Sequence, residues 1–250
     1  MHFHSLNAMG RRASHPTDSC SRRAHILTIA EELHLFQQHA ADFGVSLDER
    51  HLHLFGVYLD ELWAWNEQVN LTGATTREEM LTNLFLDSVI PGPHLPETGN
   101  LLDVGSGAGF PGIPLKIYRP GLVVDLLEVN SKRVSFLKHI IRLLHLRDIR
   151  VVRGRIDTPD ALLPERRLYD VVTARALASP GQTVLWCAPF LQKGGMLVLF
   201  LGSDVEKGLA SCKEALDRYS MAVARIIPYL LPGKKARRNT VLLKRMTASE

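Results

Sequence analysis

Apolar residues recur at helical spacing through the first third of the chain and at strand spacing after it. Leu33, Phe36, His39 and Ala40 repeat at three and four, as do Leu52, Phe55, Leu59, Leu62 and Trp63, so residues 25–90 are read as amphipathic helices. Ser46, ahead of Asp48 and Glu49, marks the start of one helix with acids in its first turn. Asn70-Leu71-Thr72-Gly73 reads as a loop. Thr76 with Glu79 has the spacing of a capping box, and the helix it opens runs to about Ile90. The stretch PGPHLPETG, residues 91–99, ends it and is the clearest boundary in the chain.

Beyond that boundary the period changes. LLDVG, LVVDLLE, IRVVRG, YDVVTA and MLVLFLG are short, nearly continuous apolar runs, and they alternate with helix-like segments at Ser131–Leu146, Pro180–Leu191 and Asp204–Tyr219. Continuous apolar strands alternating with helices predict a parallel sheet covered on both faces. The last two runs, MAVARIIPYLL and TVLLKR, flank PGKKARRN with no room for a crossover helix. They are expected to pair antiparallel at one end of the sheet. The expected organisation is a disordered basic tail over residues 1–24, a helical region over 25–97 and a doubly wound α/β domain over 98–250.

Composition narrows the classes. The chain of 250 residues is 46% hydrophobic, enough for a sizeable core, yet no run approaches the roughly 18–20 apolar residues of a membrane span. The first residues are basic and lack the apolar centre of a secretory signal. Cys20, Cys187 and Cys212 have neither paired spacing nor clustered histidines, and the helical spacing of His51 and His53 puts their rings on different faces. No metal site and no disulfide are expected, and the reducing cytoplasm is the expected compartment. The net charge of +4 hides an asymmetry. Residues 25–100 hold two basic residues against twelve acidic ones, whereas residues 101–250 hold 24 against 13. A surplus of that size in the second part points to a polyanionic partner, most simply nucleic acid.

The candidate chemistry centres on Asp103-Val104-Gly105-Ser106-Gly107-Ala108-Gly109-Phe110. Its glycines permit positive φ and leave room for a ligand against the main chain, and it stands between a strand and a helix, where open α/β sheets bind ligands. The third glycine of a dinucleotide fingerprint is replaced by Phe110, and Asp103 would repel a pyrophosphate at this place. A carboxylate there suits a cofactor with positive charge and no phosphate, such as S-adenosylmethionine. Glu128, 23 residues after Gly105 at the end of the next strand, is placed to accept hydrogen bonds from both ribose hydroxyls. Ile156 would offer an apolar face to adenine. Asp157 would accept from the adenine amino group, or cap a helix before Pro159.

Methyl transfer from a sulfonium is an in-line displacement that needs position and a dry site more than reactive side chains. Methylation of pyrimidine carbon 5 needs a nucleophilic cysteine, and Cys187 lies in the apolar helical LWCAPF instead. The place where exocyclic-amine methyltransferases carry an Asn-Pro-Pro-Tyr loop reads TARALASP. Guanine N7 already has a lone pair, and Arg175 at that strand end suits holding guanine O6 or a phosphate. Lys132, Arg133, Lys138, Arg142, Arg147, Arg150, Arg153 and Arg155 form a basic run against the single acid Asp148, and Lys234, Lys235, Arg237 and Arg238 form a second cluster. Both are candidates for tracking a phosphate backbone.

DVGSGAGFPGIPLKI followed by SKRVSFL resembles the glucose-inhibited division protein B family, the bacterial small-subunit rRNA guanine-N7 methyltransferases. The resemblance extends to Trp65-Asn66 with Asn70-Leu71-Thr72, to Leu86-Asp87-Ser88, to Gly154-Arg155-Ile156-Asp157-Thr158 and to Ala174-Arg175-Ala176-Leu177-Ala178, and it spans about residues 25–245. It implies a Rossmann-like class I S-adenosylmethionine-dependent methyltransferase sheet with an N-terminal helical appendage. The implied acceptor is N7 of one guanosine in 16S rRNA, free or in an assembling 30S subunit, and a monomer is expected. Gly105, Phe110, Ile156, Asp157 and Arg175 match the family's cofactor-contacting positions, with Phe110 near the methionine part and Arg155 a candidate for RNA phosphate. Asp103 and Gly107 complete the loop beside Glu128, and Arg175 and Arg155 are the residues expected to hold the acceptor. Two positions depart from the family pattern, both outside the loop: Asn83-Leu84-Phe85 lacks a common histidine, and Leu201-Gly202 lacks a common lysine. A small-molecule methyltransferase and a non-catalytic cofactor- or RNA-binding protein remain the alternatives.

Overall fold

A computed structural model describes residues 28–157 and 168–247. The expected tail over residues 1–24, Cys20 and a helix capped by Asp157 lie outside the described residues. Helix α1 (Ile29–Asp42) starts in a reciprocal box: Glu31 N–H donates to Thr28, and Thr28 N–H donates to the Glu31 carboxylate at 2.7 Å. Helix α2 (Glu49–Val69) is capped by Asp48 rather than Ser46, because the Asp48 carboxylate accepts from His51 N–H at 2.8 Å. The Asn66 side chain then fastens the following loop, accepting from Thr72 N–H at 2.7 Å. Thr76 caps α3 (Arg77–Met80), but the Glu79 carboxylate bonds Thr75 instead of closing the expected box. The chain continues without a break through a π-helical turn, Leu81–Leu86, into α4 (Asp87–Val89).

The remaining chain is an open seven-stranded sheet in the order β3-β2-β1-β4-β5-β7-β6. It comprises β1 (Thr98–Val104), β2 (Gly121–Glu128), β3 (Ile149–Arg153), β4 (Tyr169–Arg175), β5 (Leu191–Leu201), β6 (Met221–Tyr229) and β7 (Arg238–Arg245). The pairs among β1 to β5 are parallel, while β7 runs antiparallel to both β5 and β6, as the two closing runs predict. Helices α5 (Gly112–Tyr118), α6 (Ser131–Leu143), α7 (Pro180–Cys187), α8 (Val205–Ala210) and α9 (Lys213–Tyr219) connect the strands. The segment expected as one helix over Asp204–Tyr219 is therefore two. The helix expected over Pro180–Leu191 ends at Cys187 in a short 3-10 turn at Ala188–Phe190, where Pro189 cannot donate to a helical bond.

The strand alternation explains the continuous apolar runs. Leu101, Val171, Val198 and Leu242 face one cluster, and their neighbours Leu102, Val172, Leu197 and Val241 face the other. The second cluster is closed by α7 and α9. The first is closed by α6 together with α1, α2 and the π-helical turn, so the N-terminal helices share one core with the sheet. At its centre the rings of Phe36, Phe55, Tyr58, Phe85 and Phe110 meet edge to face or stacked at centroid distances of 4.9–5.8 Å. Cys187 and Cys212 are free and buried, and burial pushes both thiols up. Among the described residues no helix is long and apolar enough to cross a membrane, and no group of three His, Cys, Asp or Glu is placed to hold a metal ion.

Candidate active site

The carboxyl ends of β1, β2 and β3 open onto a cavity of about 210 Å³. Its wall brings together five residues singled out in the sequence: Gly105, Glu128, Arg155, Ile156 and Asp157. Gly105 has φ +71°, where an L side chain is strained, and a β-carbon there would crowd the Leu177 Cδ1 methyl at 3.0 Å. Glu128 is nearly buried, and its two oxygens are oriented by the backbone: Gly107 N–H and Asn130 N–H each donate at 2.8 Å. A carboxylate has about four acceptor sites, so this one retains capacity toward a pair of ribose hydroxyls. Asp157 and Arg155 form a bidentate pair at 2.8 and 3.0 Å, and the guanidinium holds the Asp157 carboxyl below its usual range. Without a ligand, planar fork and carboxylate satisfy each other. The cavity is completed by Val129, Leu177 and Trp186. Leu177 lies inside the TARALASP segment quoted above, but nothing local marks Val129 or Trp186.

Asp103, Gly107, Phe110 and Arg175 do not line this cavity. Asp103 is fully buried and accepts from Thr173 Oγ1 at 2.8 Å and from Gly112 N–H at 3.1 Å. It shapes the loop from beneath, which corrects the reading of its carboxylate as a charge presented to the cofactor. Phe110 is also turned inward, stacked on Tyr58 at 5.3 Å with the rings 7° apart. The apolar core outcompetes a cleft for an aromatic ring, so the side chain supports the loop from within. Its peptide bond to Pro111 is cis. Tyr58, absent from the sequence reading, donates its hydroxyl to Ala108 O of the loop. Gly109 makes this approach possible, because a β-carbon there would lie 2.5 Å from the same hydroxyl.

Arg175 belongs to a charged cluster on the other side of the loop. Its Nη1 donates to the carbonyl of Asn83 at 3.2 Å and to Asp87 at 3.3 Å, and its guanidinium lies 5.5 Å from the Phe110 ring centroid. Asp87 also accepts from Tyr229 at 2.8 Å and from Arg238 at 2.9 Å. One buried carboxylate from the N-terminal helices thus anchors two arginines from the sheet, and the cluster keeps a net positive charge. Arg238 and Asp87 were visible in the sequence only as members of a basic run and of the Leu86-Asp87-Ser88 motif.

The family model described as rRNA small subunit methyltransferase G matches residues 51–238. The chain belongs to this family. Proteins named Ribosomal RNA small subunit methyltransferase G from Roseiflexus sp. (strain RS-1) and Bacillus mycoides (strain KBAB4) are 39% and 34% identical to it. The first alignment covers 82% of this chain and 88% of the relative, the second 84% and 89%. Among solved structures, a methyltransferase from Pyrococcus furiosus aligns with a TM-score of 0.54 at 15% identity, over 75% of this chain and 96% of that one. M. jannaschii TYW2 in complex with AdoMet gives 0.51 at 14%, over 64% and 77%. The fold is the Rossmann-like class I methyltransferase fold expected from the motifs.

In this methyltransferase G family member, the segment Asn83-Leu84-Phe85 lies against the Arg175 cluster. Asn83 accepts from Arg238 through its side chain at 3.4 Å, and the neighbouring Phe85 packs on Phe110 at 5.0 Å. The segment read as lying outside the loop therefore touches it.

Burial pushes the Asp103 carboxyl up to about 6 from an ordinary 3.8, against hydrogen bonds from Thr173 and Gly112 and the charge of Arg175. The folded state thus binds a proton more tightly than the unfolded chain, and the stability from that proton is complete below about pH 4 and lost as pH rises through 6. Asp103→Asn removes the titration. The variant is expected to gain about 2–3 kcal/mol relative to the parent between pH 4 and 7, read from urea unfolding at each pH. A pH-independent difference would refute the assignment.

Proposed function

We propose that this methyltransferase transfers a methyl group from S-adenosylmethionine to N7 of a guanosine in 16S rRNA, acting as a monomer in the cytoplasm on the RNA or on the assembling 30S subunit. The observation that carries the reading is the cavity at the strand ends, with the Glu128 carboxylate oriented by the glycine loop. Its donor set fits the cofactor: an acidic acceptor for ribose, apolar Ile156 and Val129 for adenine, and no cation from the loop itself to select a phosphate. Glu128, Ile156 and Asp157 are assigned to the nucleoside, and the backbone of Gly105 and Gly107 to the edge facing the methionine part. Asp103 and Phe110 hold that backbone in shape.

When bound, S-adenosylmethionine supplies a methyl group on a cationic sulfur. The acceptor nitrogen carries its own lone pair, so the residues here need not remove a proton. Their task is to hold guanine in line and exclude water. Arg175 has five N–H donors. Those on Nη1 serve Asp87 and Asn83, and the others are assigned to guanine O6. Asp87 keeps the side chain in one rotamer and offsets its repulsion from a cationic cofactor. Arg155, mostly exposed beside the cavity, is assigned to a phosphate of the acceptor strand. The division into residues 25–97 and 98–250 is kept as a description of topology, with both parts folding around the shared aromatic core.

The test uses labelled S-adenosylmethionine and small-subunit rRNA lacking the modification, offered free and as 30S particles. Label in 7-methylguanosine after digestion is expected. Transfer without RNA would favour a small-molecule acceptor, and cofactor binding without any transfer would favour a binding protein.

A further inference from the structure

The end of α6, the turn after it and the start of β3 enclose an open groove of about 450 Å³ at the edge of the sheet. Its walls carry Lys138, Arg142, His145, Arg147 and Arg150, its floor is aliphatic, including Ile149, and no carboxylate lines it. Arg150 is held by Asp125 in a bidentate pair at 2.7 and 3.0 Å, which leaves the exposed Lys138, Arg142 and Arg147 to set the charge of the groove. Lys138 and Arg142 stand one helical turn apart, a like-charge spacing that weakens a helix. His145 and Asp148 both adopt left-handed backbone, at φ +50° and +55°, a conformation that a residue with a β-carbon takes at a penalty of about 1 kcal/mol. Gathering cations on a concave wall raises the local concentration of anions.

Strand β3 joins the groove to the active site. Strand β3 leads from Ile149 on the groove floor to Arg153, four steps or about 13 Å at ~3.3 Å per residue. The next turn carries Arg155 on the cofactor cavity. We infer that this groove binds phosphates of the rRNA strand flanking the methylated guanosine. The inference rests on the proposed rRNA substrate and states where its backbone lies. RNA is favoured over an anionic membrane because the cations line a concavity and its apolar residues form a floor rather than a protruding anchor. Among the described residues no Phe, Tyr or Trp lines the groove and His145 is its single ring, so its cations favour backbone contact over a run of stacked bases.

The test combines Lys138→Ala, Arg142→Ala and Arg147→Ala in the full chain. A control, Lys193→Ala with Lys213→Ala and Arg218→Ala, removes the same formal charge from exposed positions elsewhere. Binding to small-subunit rRNA is measured against salt concentration, and methyl transfer against RNA concentration. The groove variant is expected to lower the slope of log affinity against log salt by about two to three, at roughly 0.7–0.9 per lost phosphate contact. Its KM for RNA should rise about tenfold, with kcat and cofactor affinity within twofold. The control should match the parent. An unchanged slope and KM would overturn the inference, as would an equal loss in the control, which would reduce the effect to net charge. Loss of binding to vesicles of anionic phospholipid, with the RNA slope intact, would overturn it in favour of a membrane. Absence of label with the parent protein is separate, since it rejects the rRNA reaction itself, whereas label with an unaltered slope rejects only the groove.

Discussion

Replacing Arg175 by alanine is expected to lower methyl transfer by at least about 100-fold, or ~3 kcal/mol of transition-state stabilisation, while cofactor affinity stays within a few-fold. The asymmetry follows from position. Arg175 is not on the wall of the cavity proposed for the nucleoside. It projects from the end of β4 onto Phe110 and is secured by Asp87 and the Asn83 carbonyl. An in-line transfer is sensitive to small displacements of the acceptor, and a fixed guanidinium is a positioning device that a flexible lysine does not replace. Single-turnover kinetics with saturating cofactor will separate binding from transfer. Turnover equal to the parent would remove Arg175 from the reaction. A second readout is independent of activity: without the Arg175 charge, Asp103 loses an influence that lowers its pKa, so its titration should move above 6. Asp87→Asn serves as the companion variant. It keeps the shape of the anchor but leaves Arg175 and Arg238 without their shared anion, so kcat should fall while KM for the cofactor holds.

Tyr58 carries the largest expected effect on stability. It is fully buried, stacks on Phe110, meets Phe85 edge to face and donates its hydroxyl to the loop carbonyl of Ala108. Tyr58→Ala removes a large core ring and should destabilise the fold by about 3–5 kcal/mol. At this chain length that corresponds to a Tm lower by roughly 10 °C. Tyr58→Phe isolates the hydrogen bond. It leaves the buried Ala108 carbonyl without this donor, a loss of about 1–3 kcal/mol, and relaxes the loop that orients Glu128 through Gly107. Cofactor affinity should therefore weaken several-fold in Tyr58→Phe although the residue is remote from the cavity. If Tyr58→Phe binds cofactor like the parent, the N-terminal helices support the fold without tuning the site.

Much of this protein was legible in the sequence, for local reasons. Helical and strand periods are properties of neighbouring residues, so the switch of period after residue 90, the parallel strands and the antiparallel closing pair could all be read directly. The glycine loop was legible because positive φ and close approach demand glycine wherever they occur, and because Glu128 and Ile156 follow the ends of their own strands. The family motifs carried the class of cofactor and acceptor. What stayed hidden depends on contacts between distant positions. Asp103 looks like a charge offered to a ligand until Thr173, 70 residues away, is seen to hold it in the core. Phe110 looks like a cleft residue until Tyr58 and Phe85 enclose it. Arg175 finds its anion at Asp87, 88 positions earlier, and Arg238 reaches the same carboxylate across 151. Backbone sterics and apolar periodicity act over a few residues, so the main elements and the glycine loop could be read from the chain alone. Which charges are buried and which are paired emerged only with the fold, because desolvation and ion pairing are set by whatever the packed core brings within a few ångströms.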